Sequence, residues 1–278
     1  MDGPGRFADL DRPPLQADVL TTSLVREAGL WRRVDVVERT ASTNTDLAAR
    51  ARAGAAEGEV LVAETQTAGR GRLDRSFTMP ERSGVIVSVL LRPPSSVPAS
   101  RWVWLPLLAG LAVEATAREC GLEAGLKWPN DVLVDDRKLC GILLERVEPD
   151  AGSDVGPAAV VGIGLNVTMT EAELPVPTAT SMRLAGADQT DRTVVLRVLL
   201  RALERLYLAW VRSDGDPAAG VADSYRRRCL TLGSSVRVEL PDGTSLEGTA
   251  DDVDEHGRLV VDGRALSSGD VTHVRRLA

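Results

Sequence analysis

The stretch KWPNDVLVDDRKLCGIL, residues 127–143, contains both lysines of a chain that has 33 basic side chains. The other 31 are arginine, so positive charge is written as arginine wherever charge alone suffices. Arginine is a rigid planar fork, whereas lysine is a compact point charge on a flexible stem. Keeping Lys127 and Lys138, eleven residues apart, points to a task that a guanidinium cannot do. The segment Lys127-Trp128-Pro129-Asn130-Asp131 joins a cation, a ring beside a proline, an amide and a carboxylate. Asp131 has the chemistry to hold Mg²⁺, which takes one or two carboxylates plus substrate phosphates, and Asn130 that to recognise a base or ribose. Pro-Asn-Asp is equally turn chemistry, and both readings stand at this point. VLV (132–134) and KLCGILLERV (138–147) read as strands. Lys138 heads the second, and Gly141 leaves room there for a ligand against the sheet.

Outward from this stretch the pattern is mixed. VDVVER (34–39) reads as a strand, followed by Ser42-Thr43-Asn44 in front of the helix formers DLAARARA. A capping hydroxyl at a helix N-terminus and a group that binds a polar ligand there are compatible readings. EVLVAET (59–65) and GVIVSVLLR (84–92) read as buried strands, flanking the polar loop QTAGRGRLDRSFTMPERS. Within it, Gly69-Arg70-Gly71-Arg72-Leu73-Asp74-Arg75 sets three guanidiniums among glycines that let a ligand come close. That is a cationic clamp over an anionic substrate or a solvated turn. Thr65-Gln66-Thr67, at a strand end where ligands of open α/β sheets commonly sit, favours the clamp. Three like charges with little to bury also predict a loop that is mobile without ligand. Helices are expected over 17–28, 100–120 and 192–212, the last with Leu196, Leu199, Leu203, Leu206 and Trp210 as an apolar stripe. AAVVGIGLNV (158–167) reads as a strand thinned by Gly162 and Gly164 and ending at Asn166, although strand glycines also mark bulges. After Cys229 the chain alternates apolar and polar residues between turn signals, the pattern of a small all-β unit.

Composition and missing motifs exclude several classes. The apolar fraction of 44% and charged fraction of 26% suit a globular chain of one large domain or two unequal ones. The longest apolar run, Trp102–Val113, falls short of the roughly twenty residues of a membrane span. No signal peptide is readable, so a cytoplasmic location is expected. A net charge of −7 argues against a chain built to neutralise phosphate backbones. Cys120, Cys140 and Cys229 are too scattered for a disulfide framework or a zinc cluster. Both histidines, His256 and His273, fall in the C-terminal unit, which rules out a histidine-based triad in the large domain. Neither a Walker pattern nor a complete Gly-x-Gly-x-x-Gly is present.

Taken in order, Ser42-Thr43-Asn44, GRGR (69–72), KWPND (127–131), KLCGIL (138–143) and GIGLN (162–166) resemble bacterial biotin–protein ligase across about residues 34 to 278. The resemblance implies an α+β fold: a mixed-sheet biotin/lipoate ligase-type catalytic domain with a small C-terminal Src-homology-3-like β-barrel. It implies a short N-terminal segment (1–33) without a helix-turn-helix domain, a catalytic domain (34–229) and the barrel (230–278). It further implies that ATP and Mg²⁺ serve to activate biotin as biotinyl-5′-AMP, and that biotin then passes to a lysine of a biotin carboxyl carrier domain of an acyl-CoA or pyruvate carboxylase. By resemblance, biotin would meet Ser42, Thr43, Asn44, Gln66, Gly69, Arg70, Gly71, Arg72, Lys138 and Gly141. ATP would meet Arg75, Phe77, Lys127, Asn130, Asp131 and Asn166, with Asp131 toward the metal and Lys138 and Arg72 carrying the chemistry. The family often has glycine and tryptophan where this chain has Asp74 and Phe77. Two rivals remain: a lipoate–protein ligase, which shares the fold and the adenylation chemistry, and a biotin-responsive DNA-binding repressor. Only 41 residues precede Ser42, which is short for a DNA-reading module plus linker, so neither DNA nor membrane is an expected partner.

Overall fold

The structure, a computed structural model, describes residues 11–72, 75–152, 155–240 and 242–273. Leu73 and Asp74, on which the reading of the loop partly turned, lie outside the described residues. A seven-stranded sheet forms the centre. Its strands are β1 (Arg33–Thr40), β2 (Glu59–Gln66), β5 (Gly84–Leu91), β6 (Gly125–Lys127), β7 (Asp131–Val134), β8 (Arg137–Val147) and β9 (Ala158–Asn166), in spatial order β1-β2-β5-β9-β8-β7-β6. β1 and β2 run parallel, joined through helix α2 (Thr43–Arg52); the other pairs are antiparallel.

Residues directly opposite in neighbouring strands share a face, so the register sorts the side chains. Val87 and Val89 of β5 and Val161, Ile163 and Ile142 of β9 and β8 lie in the main core. That core takes in buried residues of α3 (Leu105–Glu119) and α4 (Arg192–Arg212), including the stripe Leu196, Leu199, Leu203 and Trp210. Burying each of those leucines stabilises the fold by about 1.5–3 kcal/mol. On the opposite face, Leu61, Leu90 and Val160 pack under Leu47, Ala48 and Ala51 of α2. The next row of that face, Ser88–Gly162–Leu143, lies under the first turn of α2, and the row Ile86–Gly164–Gly141 lies beyond it. The apolar face of α2 on one side and the small glycines on the other leave a cavity with the sheet as its floor.

The sequence-predicted elements are present with shifts that have local causes. The helix expected over 100–120 divides into a 3₁₀ turn, Ala99–Trp104, and α3, because Pro106 lacks an N–H and is tolerated only in the first turn of an α-helix. The first helix, α1 (Ala17–Leu24), is shorter than expected. Unread in the sequence were β6, helix α5 (Val221–Arg228), and a two-stranded hairpin of β3 (Gly69–Arg70) and β4 (Ser76–Phe77) inside the glycine–arginine loop.

The segment before β1 packs into the same core as the seven-stranded sheet. Leu15, Leu20, Leu24, Leu30 and Trp31 are buried in the main core, and Trp31 Nε1 donates to Leu200 O at 3.1 Å. Arg192 and Glu64 form an ion pair at 2.6 Å with both side chains 4% exposed. Glu64 also accepts from Leu15 N at 2.6 Å, and Arg192 donates to Pro13 O at 2.6 Å. Removing one partner of a buried pair strands the other charge. Glu64→Ala should therefore destabilise the fold by roughly 3–5 kcal/mol, read as a lowered denaturation midpoint. A loss below about 1 kcal/mol, the range of an exposed pair, would show that this buried pair contributes little.

The small all-β unit is a five-stranded antiparallel sheet of β10 (Ser235–Glu239), β11 (Ser245–Val253), β12 (Leu259–Val261), β13 (Arg264–Leu266) and β14 (Asp270–His273), in order β13-β12-β11-β10-β14. Its inner residues Val236, Val238, Val253 and Val261 continue the main core. Two buried indoles fix its pose: Trp104 Nε1 donates to Glu255 O at 3.0 Å and Trp128 Nε1 to Gly257 O at 2.9 Å.

Candidate active site

The parallel register Thr40↔Gln66 sets the end of β2 beside the first turn of α2. Ser42 caps that helix, its hydroxyl accepting from Thr45 N at 3.4 Å. Thr43 N and Thr43 Oγ1 both donate to Gln66 Oε1, at 2.8 and 3.0 Å. Ser88 Oγ, from the floor, lies 2.7 Å from Thr43 Oγ1 and 2.6 Å from Asn44 Oδ1. One hydroxyl proton cannot fully serve two acceptors. Buried Thr43 and Asn44 therefore form a polar set one donor short, which is the complement of a ligand that presents N–H groups.

The glycines of the floor make the close approaches possible. A Cβ on Gly162 would stand 2.2 Å from Asn44 Oδ1, and one on Gly164 would stand 2.5 Å from Phe77 Cζ. The gaps left by the two glycines are filled by the Asn44 carboxamide and the Phe77 ring. Gly69 has the same role at the root of the hairpin, where a Cβ would meet Phe77 O at 2.4 Å.

Lys138 reaches this face through a β-bulge. Side chains three apart on a regular strand point to opposite faces, yet a Cβ on Gly141 would lie 3.2 Å from Lys138 Cε. The β7–β8 register slips between Val132↔Cys140 and Leu133↔Lys138, leaving Leu139 as the extra residue. Such a bulge re-aims a side chain. It turns Lys138 over Gly141, where its Nζ meets Asp131 Oδ1 at 2.6 Å. Cys140, beside it, is fully buried, and burial pushes its thiol well up, so it is no nucleophile.

The three guanidiniums of the loop each meet a partner instead of repelling one another unrelieved. Arg72 Nη1 donates to Asn130 Oδ1 at 3.0 Å, and Asn130 Nδ2 donates to Ile142 O at 3.0 Å. Arg75 pairs with Asp270 of β14, and Arg70 Nη1 lies 3.7 Å from Glu145 Oε2. Burial pushes the Arg72 guanidinium below its usual range, while Asp131 and Asp270 pull it back up. A desolvated arginine of this kind is poised for an anion.

A cavity of about 190 Å³ collects most of these groups. Its wall brings together Ser42, Thr43, Asn44, Gln66, Arg70, Gly71, Arg72, Arg75, Phe77, Asn130, Asp131, Lys138 and Gly141 from the sequence-predicted set. Gly69, Lys127 and Asn166 are not in that wall. Lys127 stands on edge strand β6, paired with Asp131 through the backbone. Asn166 turns its Nδ2 to Thr180 O at 2.8 Å, so its amide ties a loop to β9. Asp131 faces an ammonium, and among the described residues no three His, Cys, Asp or Glu side chains gather as metal ligands. The wall also contains Ile86 and Asp270, and Ser88 and Glu145 bond its residues; none of these four was foreseen. Ser88 had a signal, since it is the one polar residue of an otherwise apolar strand, Gly84–Leu91.

Residues 36–166 match the biotin/lipoate A/B protein ligase family, and residues 231–274 match the biotin protein ligase C-terminal domain. The chain is 45% identical to the biotin–[acetyl-CoA-carboxylase] ligase of Mycobacterium tuberculosis over 95% of its own length and 97% of that protein's. It is 31% identical to the bifunctional ligase/repressor BirA of Bacillus subtilis over 93% of its length and 75% of that protein's. Among solved structures it resembles the biotin protein ligase from Aquifex aeolicus in complex with biotin and ATP, at a TM-score of 0.72 and 26% identity, covering 88% of this chain and 100% of that one. With both matches in order, and a relative of this identity aligned over nearly its whole length, the chain belongs to the biotin/lipoate A/B protein ligase family, in its biotin protein ligase branch.

Proposed function

We propose that the chain carries out ATP-dependent biotin ligation in two steps within the cavity under the glycine–arginine loop. In the first, a biotin carboxylate oxygen bonds to the α-phosphorus of ATP, the α–β phosphoanhydride bond breaks and pyrophosphate leaves. In the second, the amine of an acceptor lysine attacks the carbonyl of the mixed anhydride. An amide forms, AMP leaves with the bonding electron pair and the amine gives up a proton to solvent. The observation that carries this reading is Lys138 Nζ on the same floor as the Thr43–Asn44–Gln66–Ser88 set, with an apolar span of Ile86, Leu143 and the glycines between them.

The residues divide the work by their chemistry. A ureido ring offers two N–H donors beside a carbonyl, which suits the acceptor-rich set at the start of α2. Lys138 exchanges one carboxylate, that of Asp131, for substrate anions at the same distance from its stem, and Arg72 and Arg70 offer guanidinium forks to the α-phosphate. Neutralising and positioning two anions supplies most of the catalysis in such transfers. Mg²⁺ prefers one or two carboxylates together with substrate phosphates, so Asp131 is the residue that would hold it with ATP, neutralising phosphate charge. The acceptor we infer is a carrier domain of an acyl-CoA or pyruvate carboxylase, presenting one lysine on an exposed turn. A cytoplasmic location fits this substrate; no described helix is long and apolar enough to cross a membrane.

Exchange of labelled pyrophosphate into ATP, with biotin, with lipoate and with neither, tests the proposal. Exchange that needs biotin and Mg²⁺ is expected. Equal exchange with lipoate, or none with biotin, would overturn it.

A further inference from the structure

Glu145 stands on β8, on the ligand face two residues beyond Leu143, and no step described above uses it. Its Oε1 accepts from Asn44 Nδ2 at 3.1 Å, and its Oε2 faces Arg70 Nη1 at 3.7 Å. Asn44 belongs to the rigid polar end of the cavity, whereas Arg70 belongs to the hairpin loop that roofs it.

A carboxamide turned through 180° keeps its shape and reverses its donor and acceptor. Ser88 cannot decide between the two orientations, because a hydroxyl both donates and accepts and has Thr43 Oγ1 as a second partner. An ionised carboxylate only accepts. Glu145 therefore admits the NH₂ side of Asn44 alone, which leaves the remaining lone pair of Oδ1 available above Gly162 for a ligand N–H. The other oxygen of the same carboxylate holds the first arginine of the loop.

We propose that Glu145 is a positioning residue that sets the polarity of the Asn44 carboxamide and tethers the hairpin through Arg70, so that ring recognition and retention of the adenylate share one carboxylate. The inference rests on the biotin reading above. Because Arg70 is more than half exposed, its pairing with Glu145 adds little to stability. The tether is therefore visible in kinetics and not in melting.

Glu145→Gln can still turn its carbonyl oxygen to Asn44 but no longer excludes the reversed pairing, and it removes the charge facing Arg70. It should leave the biotin KM within about threefold and release the adenylate up to about fivefold faster, the span of an exposed ion pair. Glu145→Ala removes both contacts and should also raise the biotin KM at least about tenfold, the worth of a charge-assisted hydrogen bond. Arg70→Gln combined with Glu145→Gln should release adenylate no faster than Arg70→Gln alone, as expected of two groups acting as one contact. Release from Glu145→Gln at the wild-type rate, additive effects in the double variant, or an unchanged biotin KM in Glu145→Ala would each overturn the inference while wild-type exchange leaves the biotin reading intact. Absence of biotin-dependent exchange in the wild type would overturn both.

Discussion

Lys138→Arg should lower biotin-dependent pyrophosphate exchange by at least about 100-fold, or ~2.7 kcal/mol of barrier, although the charge is kept. The ammonium of Lys138 folds over Gly141 and meets Asp131 as a single point, so it can leave that carboxylate for another anion in the same space. A guanidinium is a planar fork bulkier than an ammonium, and it would bond Asp131 through two parallel N–H groups. Arginine would thus be held more firmly to the protein carboxylate and would not be free to sit between two substrate anions. Steady-state exchange of the purified variant measures this, with its denaturation midpoint as a check on folding. Exchange within about tenfold of wild type, or ~1.4 kcal/mol, would remove Lys138 from the chemistry.

The second large effect concerns the floor. Gly162→Val should weaken biotin binding at least about 100-fold, or ~2.7 kcal/mol. Any Cβ at 162 would occupy the position of Asn44 Oδ1, 2.2 Å away, and the backbone of a central strand cannot move aside. Asn44 would have to leave, breaking its bonds to Ser88 and Glu145 and removing the acceptor offered to the ligand. Gly156→Val is the control, since nothing lies within 4 Å of its would-be Cβ. Titration calorimetry on both variants decides the matter. Equal affinities would mean that the Asn44 carboxamide does not contact biotin.

The sequence already set Lys138 apart from arginine, but the contacts that give both effects their reason are tertiary. Lys138 was singled out because the chain otherwise uses arginine, and the partner it meets, Asp131, was read as a metal ligand. The bulge that makes the pair is invisible in KLCGIL, because hydrophobic alternation does not report one extra residue on a strand. The same holds for Glu145, which in LLERV looks like an outward-facing charge.

The sequence by itself determined the family, most of the polar and cationic groups that line the cavity and the order of most elements. These follow from local chemistry: capping hydroxyls before helix formers, apolar runs of strand length, glycines beside arginines, and lysine kept where arginine was the rule. The tertiary structure alone decided which groups face the cavity. Register across β5, β9 and β8 aligned Ser88 with Gly162, and the bulge at Leu139 brought Lys138 onto the ligand face. Lys127 stayed outside the cavity wall, Asn166 turned its amide to Thr180, and Asp270 arrived from the far end of the chain to meet Arg75. The physical reason is that facing is set by pairing between strands distant in sequence, and a slip of one residue reverses it.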